Sequence, residues 1–171
     1  ISLATTLSAK QLEDFLEKLK KQQNKYEDKY LPRTDAEFID EARKEFKDTL
    51  KKYLGSISLV QERFLDSEIL DLQRSDQTWL DERARWINRV EKVLERKPGW
   101  QNNLKTLLLN REKNLSEDYL AVYEWNTLVI RKILVETLNS RSRKQDQRLR
   151  KKLGKWQRDL EILITQSKIS D

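Results

Sequence analysis

The chain has 171 residues, with 35 Lys and Arg against 29 Asp and Glu, 37% hydrophobic residues, three Gly, two Pro, no Cys and no His. The missing thiols and imidazoles remove the usual zinc ligands, the thiol nucleophile and the commonest general base, so no metal or redox centre is expected. The chain has no apolar run of spanning length and no signal-peptide pattern at its start. Its Leu-, Lys-, Glu-, Gln-, Arg- and Asp-rich composition favours helix.

The expected fold is all-α: one domain over 1–171, an elongated bundle of six to seven helices with short connections and no sheet. Helix starts share one spelling. Ser8 with Gln11, Thr34 with Glu37, Ser58 with Gln61 and Ser142 with Gln145 fit the S/T-x-x-E/Q capping box, in which hydroxyl and amide side chain satisfy each other's backbone N–H groups. Ser116 before "EDYL" marks a fifth start, and Pro98 in "KPGW" suits the first turn of another helix. Pro32 and Gly55 read as stops. The predicted helices lie near 8–30, 34–54, 58–74, 76–97, 98–113, 116–138 and 142–166. The third and fourth can also be read as one kinked helix through Arg74, Ser75 and Asp76.

The first helix carries a stripe of Leu12, Phe15, Leu16, Leu19, Tyr26 and Tyr30, interrupted by Gln23, which needs a hydrogen-bond partner if covered. The second is one-faced, with Phe38, Ile39, Ala42, Phe46, Thr49, Leu50 and Tyr53 in one arc. In "WLDERARWINRVEKVL", Trp79, Leu80, Trp86, Ile87, Val90, Val93 and Leu94 fall within roughly 140° of the wheel, so packing is preferred over a ligand-stacking role for the two indoles. Arg83 lies inside that arc and must snorkel, stack on a ring or meet a carboxylate.

The helix near 116–138, with Trp125, is apolar nearly all round and is expected to be the most buried element. In the last helix Leu149, Leu153, Trp156, Leu160 and Leu163 follow the 4-3-4-3 spacing of a coiled-coil seam, and Gly154 reads as room for a neighbouring helix. Trp79, Arg83, Trp86, Trp125 and Trp156 are the expected core and register residues.

"RSRKQDQRLRKKLGKWQR", 141–158, holds nine Lys or Arg and one acid. The candidate partner-binding residues are Arg141, Arg143, Lys144, Arg148, Arg150, Lys151, Lys152 and Lys155, which would steer an anionic partner. Among the 29 acids no catalytic pair stands out, and neither a phosphate-cradling loop nor a G-x-S-x-G or H-E-x-x-H motif occurs. The expectation is a non-enzyme with no catalytic residue, cofactor or small-molecule substrate.

W-L-x-x-R-A-x-W (Trp79, Leu80, Arg83, Ala84, Trp86) and L-G-x-x-x-x-x-Q (Leu54, Gly55, Gln61), set between "LSAKQLEDFLEKL" and "KKLGKWQRDLEIL", resemble a family of bacterial lipoproteins with an all-helical domain of unknown function. The resemblance implies an exported, periplasm-facing protein, lipid-anchored through a Cys outside this chain. Ile1 would then be a cut point within a longer product. The expected role is an adaptor or scaffold for an unknown protein or an anionic envelope surface. The alternative is a cytoplasmic nucleic-acid-associated protein using the basic segment.

Overall fold

The structure, a computed structural model, describes residues 2–169, with side chains from 4 to 166. Ile1, the expected cut point, lies outside them. Among the described residues there are eight α-helices and no strand: α1 (Ser2–Thr6), α2 (Ala9–Tyr30), α3 (Asp35–Leu54), α4 (Leu59–Glu68), α5 (Asp76–Leu94), α6 (Trp100–Leu109), α7 (Glu117–Asn139) and α8 (Arg143–Ile169). Two 3₁₀ turns, Ile69–Asp71 and Arg111–Asn114, follow α4 and α6. No described helix is long and apolar enough to cross a membrane. The chain gathers into two compact units, Ile1–Asp35 with Gln73–Asn126 and Ala36–Leu72 with Thr127–Asp171.

The all-α expectation holds, and the boxes at Ser8, Ser58 and Ser142 form as their spacing requires. In each, the glutamine amide accepts a hydrogen bond from the serine N–H, at 2.8, 2.9 and 2.7 Å respectively. The hydroxyl in turn accepts from the glutamine N–H at 3.2, 3.2 and 3.3 Å. Gly55 closes α3 in the left-handed conformation, φ 90°, its N–H donating to the Lys51 carbonyl at 2.8 Å.

Two boundaries are corrected. The single kinked helix does not form: α4 tightens into its 3₁₀ turn, and Leu72 then goes extended, with ψ 131°. Pro98 lies outside its helix, because Gly99 sits at φ 84°, a conformation a right-handed helix cannot contain. With α1 added, the six or seven expected helices become eight.

In the first unit α2 lies along α5, and α6 packs on α5. Leu12, Leu80, Ile87, Val90, Trp100 and Leu104 are buried. Gln23 is buried too, and its amide N–H donates to the Leu80 carbonyl at 3.1 Å, while its Oε1 has no partner among the described residues. Where α2 ends, Arg74 donates to the carbonyls of Tyr30 and Leu31 at 3.1 and 3.0 Å, satisfying acceptors that a helix C-terminus leaves open. Its Nε also reaches the buried Asp76 carboxylate at 2.9 Å, and Arg33 grips the same carboxylate with two donors. Asp76 opens α5, where the helix dipole also favours negative charge. Burial opposes ionisation of this group, yet the hydrogen bonds and charges of Arg33 and Arg74 outweigh it and hold the carboxyl below its usual range. After α5, Arg96 adopts a left-handed backbone, φ 57°. Its guanidinium is held by the Ala4 and Leu7 carbonyls, both at 2.7 Å.

The second unit is built on Leu50, Leu54, Leu65, Ile69, Val129 and Ile133, with Ile39, Ala42, Phe46, Ile57, Leu72, Leu138 and Leu149 around them. Lys47 on α3 reaches Glu62 and Asp66 on α4, both at 2.9 Å. Above the core, Gln61 and Gln145 are buried and exchange amide hydrogen bonds, Gln145 Nε2 to Gln61 Oε1 at 2.9 Å and the return bond at 3.4 Å. Gln61 also donates to the Thr137 carbonyl at 3.1 Å, and Gln145 to the Ser56 carbonyl at 2.6 Å. Both glutamines close capping boxes, so the starts of α4 and α8 are bonded to each other and to the end of α7.

The expected burial of α7 is corrected. Its buried residues are Val129, Ile133 and Thr137, one stripe at four-residue spacing, while Tyr123, Leu128, Leu134 and Val135 are exposed. A helix apolar all round is buried only where elements cover it on every side.

Gln145→Leu keeps the volume, breaks the box and leaves buried partners unpaired. It should destabilise the protein by about 2–3 kcal/mol, measured as a lower urea midpoint at unchanged slope. Asp76→Asn should remove about 3 kcal/mol at neutral pH by unpairing the two arginines. Because the Asp76 carboxyl is depressed in the folded state, its contribution is present above about pH 4 and lost as pH falls through the lower folded value. Urea titrations at stepped pH should therefore show a steeper acid loss for the wild type than for Asp76→Asn.

Candidate anion-binding groove

The groove is made where α8 passes the end of α3. The glutamine pair fixes the first turn of α8 against Ser56, and the turn at Gly55 lets that helix come close. A Cβ on Gly55 would lie 2.8 Å from Arg148 Nη1 and 2.9 Å from its Cδ, so the absent side chain is what lets Arg148 lie across the turn. Two turns into α8, Lys152 sits over the Tyr53 ring at 5.3 Å, and Trp156 meets the same ring edge-on at 5.5 Å.

The resulting groove, of about 750 Å³, is lined by Leu54, Gly55 and Ser56 on one side and by Lys144, Arg148, Lys151, Lys152, Lys155 and Arg158 on the other. Its lining includes Ser142, Gln145 and Gln147 but no carboxylate. Six cations around one concavity, with no acid among them, focus a positive potential that an anion would relieve. The lining offers positive charge and hydrogen-bond donors.

Of the eight cations singled out from the sequence, five meet here: Lys144, Arg148, Lys151, Lys152 and Lys155. Arg141, Arg143 and Arg150 instead line a separate hollow of about 430 Å³ with Ser142, Asp146 and Gln147. There Asp146 accepts from Arg150 at 2.7 Å and Arg141 at 2.8 Å, and these two bonds hold its carboxyl below the usual range. Arg158 was not among the eight yet belongs to the groove; its signal was its place at the end of the same basic run.

The tryptophans divide. Leu80 and Ile87 are fully covered, but Trp79 and Trp86 are half-buried and edge a common hollow of about 490 Å³ with Arg83, Arg111, Tyr119 and Tyr123. Trp79 packs on Tyr26 at 5.3 Å, and Arg111 lies over Trp86 at 5.3 Å. Arg83 takes one of its expected solutions, stacking on Tyr26 at 5.1 Å and donating to Gln22 at 3.1 Å. Trp125 and Trp156 are corrected: they are 45% and 48% exposed and lie outside the core. Glu82, not among the residues singled out from the sequence, is a buried carboxylate that accepts from Arg89 at 2.7 Å, Arg85 at 3.2 Å and the Ser116 amide at 3.2 Å. On the sequence it is one acid among many.

Residues 1–120 match a family described as a family of unknown function (DUF6279), and the chain belongs to that family. The match contains Leu54, Gly55, Ser56 and Gln61; the basic face of α8 lies beyond it. No curated protein and no solved structure matches the chain.

Gly55→Ala forces a side chain into a left-handed position and against Arg148, and should destabilise by about 1–2 kcal/mol. Shortening the neighbour in Gly55→Ala/Arg148→Ala should recover part of that loss in a double-mutant cycle of urea midpoints, leaving only the backbone part.

Proposed function

We propose that this family member is a non-enzymatic helical adaptor of a bacterial envelope, held on the periplasmic side of a membrane through a lipid-modified Cys upstream of Ile1. Its α8 groove docks an anionic surface or the acidic face of another macromolecule. The observation that carries the docking reading is the acid-free ring of Lys144, Arg148, Lys151, Lys152, Lys155 and Arg158. Support for the compartment comes from the resemblance carried by the W-L-x-x-R-A-x-W and L-G-x-x-x-x-x-Q stretches. Support for a binding role over catalysis comes from a sequence without His or Cys, and from buried carboxylates Asp76 and Glu82 that are engaged by arginines.

The groove suits multivalent anions better than a small acid. Its cations recur over four turns of α8, and Lys152 is partly committed to Tyr53. A surface with repeated negative charge satisfies several cations at once without requiring one fixed geometry.

The test is co-sedimentation of the full chain with vesicles containing or lacking anionic phospholipid. Binding should require the anionic lipid and weaken with salt. Lys144→Glu/Lys151→Glu/Lys152→Glu/Lys155→Glu should reduce it by at least about a hundredfold, taking about 1 kcal/mol per cation near the surface. Salt-insensitive binding would remove the cation ring from the account, and tighter binding to duplex DNA than to vesicles would remove the envelope reading.

A further inference from the structure

The seam of α8 has one covered end. Leu149 packs against the core of its own unit, but Leu153, Trp156, Leu160 and Leu163 are each about half exposed or more, with Ile164 exposed beside them. Trp156 meets Tyr53 with the ring planes near perpendicular and remains about half exposed. Leu153, Trp156, Leu160, Leu163 and Ile164 fall within roughly 100° of the helix surface. A strip that narrow, repeating every 3.5 residues, fits a second helix of the same period better than the broad apolar face of an interfacial helix.

Charge decides how such a partner would lie. Residues 143–158 carry eight Lys or Arg and one Asp, whereas 159–169 carry Asp159, Glu161 and Lys168. A parallel mate with the same charge distribution would set one strongly basic half against another. An antiparallel mate would set each basic half against a slightly acidic one. We propose that the seam pairs with the seam of a second copy of this chain, antiparallel, Leu153 facing Leu163 of the second copy and Trp156 facing its Leu160. Among antiparallel offsets that keep seam against seam, this one engages all four exposed seam residues while sparing Leu149. The helix is already formed by continuation from its folded first half, so pairing carries little of the ordering loss that makes short isolated helices marginal.

Pairing leaves most of the groove open. Arg148, Lys151, Lys155 and Arg158 lie roughly 100° or more from the middle of the apolar strip, while Lys152 lies about 70° from it, beside the strip. The antiparallel pair thus carries two anion-binding grooves, one toward each end. The pairing itself does not depend on what those grooves bind.

Sedimentation velocity of the full chain, with no anionic partner present, should show concentration-dependent conversion from a 20.6 kDa species to one of twice that mass. The conversion should persist at high salt. Leu160→Glu, at an exposed position, should leave the helical circular dichroism unchanged and weaken dimerisation by at least about thirtyfold. The chain has no Cys, so introduced thiols report orientation directly. An oxidised mixture of Leu153→Cys and Leu163→Cys should form the mixed disulfide, with neither variant linking efficiently to itself. A 20.6 kDa species at every concentration overturns the pairing, and efficient self-linking of Leu153→Cys overturns its orientation. Leu160→Glu abolishing vesicle binding in a chain that stays monomeric would assign the strip to lipid instead. Because the groove cations are untouched in these variants, failure here is distinct from failure of the docking role.

Discussion

The exchange of amide hydrogen bonds between Gln61 and Gln145 is the constraint on which the second unit depends. Each glutamine closes the first turn of its own helix and spends its remaining donor capacity on the other glutamine and on backbone carbonyls of Thr137 and Ser56. A capping box is ordinarily a local device that satisfies two amides at one helix end. Here two boxes share their side chains, so the starts of α4 and α8 are fixed together in a buried site where an unmade bond is expensive. The basic face of α8 is aimed by this pair, and Gly55 supplies the clearance that lets Arg148 lie flat beside it.

The first unit solves its helix ends with charge instead of amides. Arg74 satisfies the last carbonyls of α2 and the first carboxylate of α5 at once. Glu82 performs a comparable task at the entry to α7, accepting from the Ser116 amide while its charge is matched by Arg85 and Arg89. Buried carboxylates held this way are weak evidence for net stabilisation over an apolar core, but they penalise any alternative arrangement that separates them from their arginines. In a chain with so few residues of restricted backbone, where helices form readily in many registers, that penalty selects among packings.

What could be read from the sequence follows from how local the cause is. The boxes at Ser8, Ser58 and Ser142, the stop at Gly55 and the need of Gln23 for a partner depend on spacings of a few residues, and each appears in the structure. The start at Pro98 failed because its neighbour Gly99 took the left-handed conformation, a choice that the Pro-Gly pair leaves open. The burial of α7, and of Trp125 and Trp156, failed for a different reason. Periodicity shows which residues share a face, and says nothing of whether another element arrives to cover it. The groove was half legible: the run of cations was plain, but its division between two hollows depends on helical phase and on Asp146 gathering Arg141 and Arg150.

That division bears on how α8 can serve two purposes. Its apolar strip and its basic flank occupy different sectors of one helix, and the aromatic pair of Tyr53 and Trp156 sits at their border. Arg141 and Arg150 are drawn to Asp146 and away from the groove, whose lining of described residues contains cations and no carboxylate. A helix with uncompensated positive charge in its first half is poorly matched to its own dipole, and no helix-propensity argument favours it. It persists because the glutamine pair and Leu149 anchor its first turns through contacts that do not involve the charge. The stability of α8 and its electrostatic character are thereby set by separate residues, so the charge on this face can be altered with little effect on the fold beneath it.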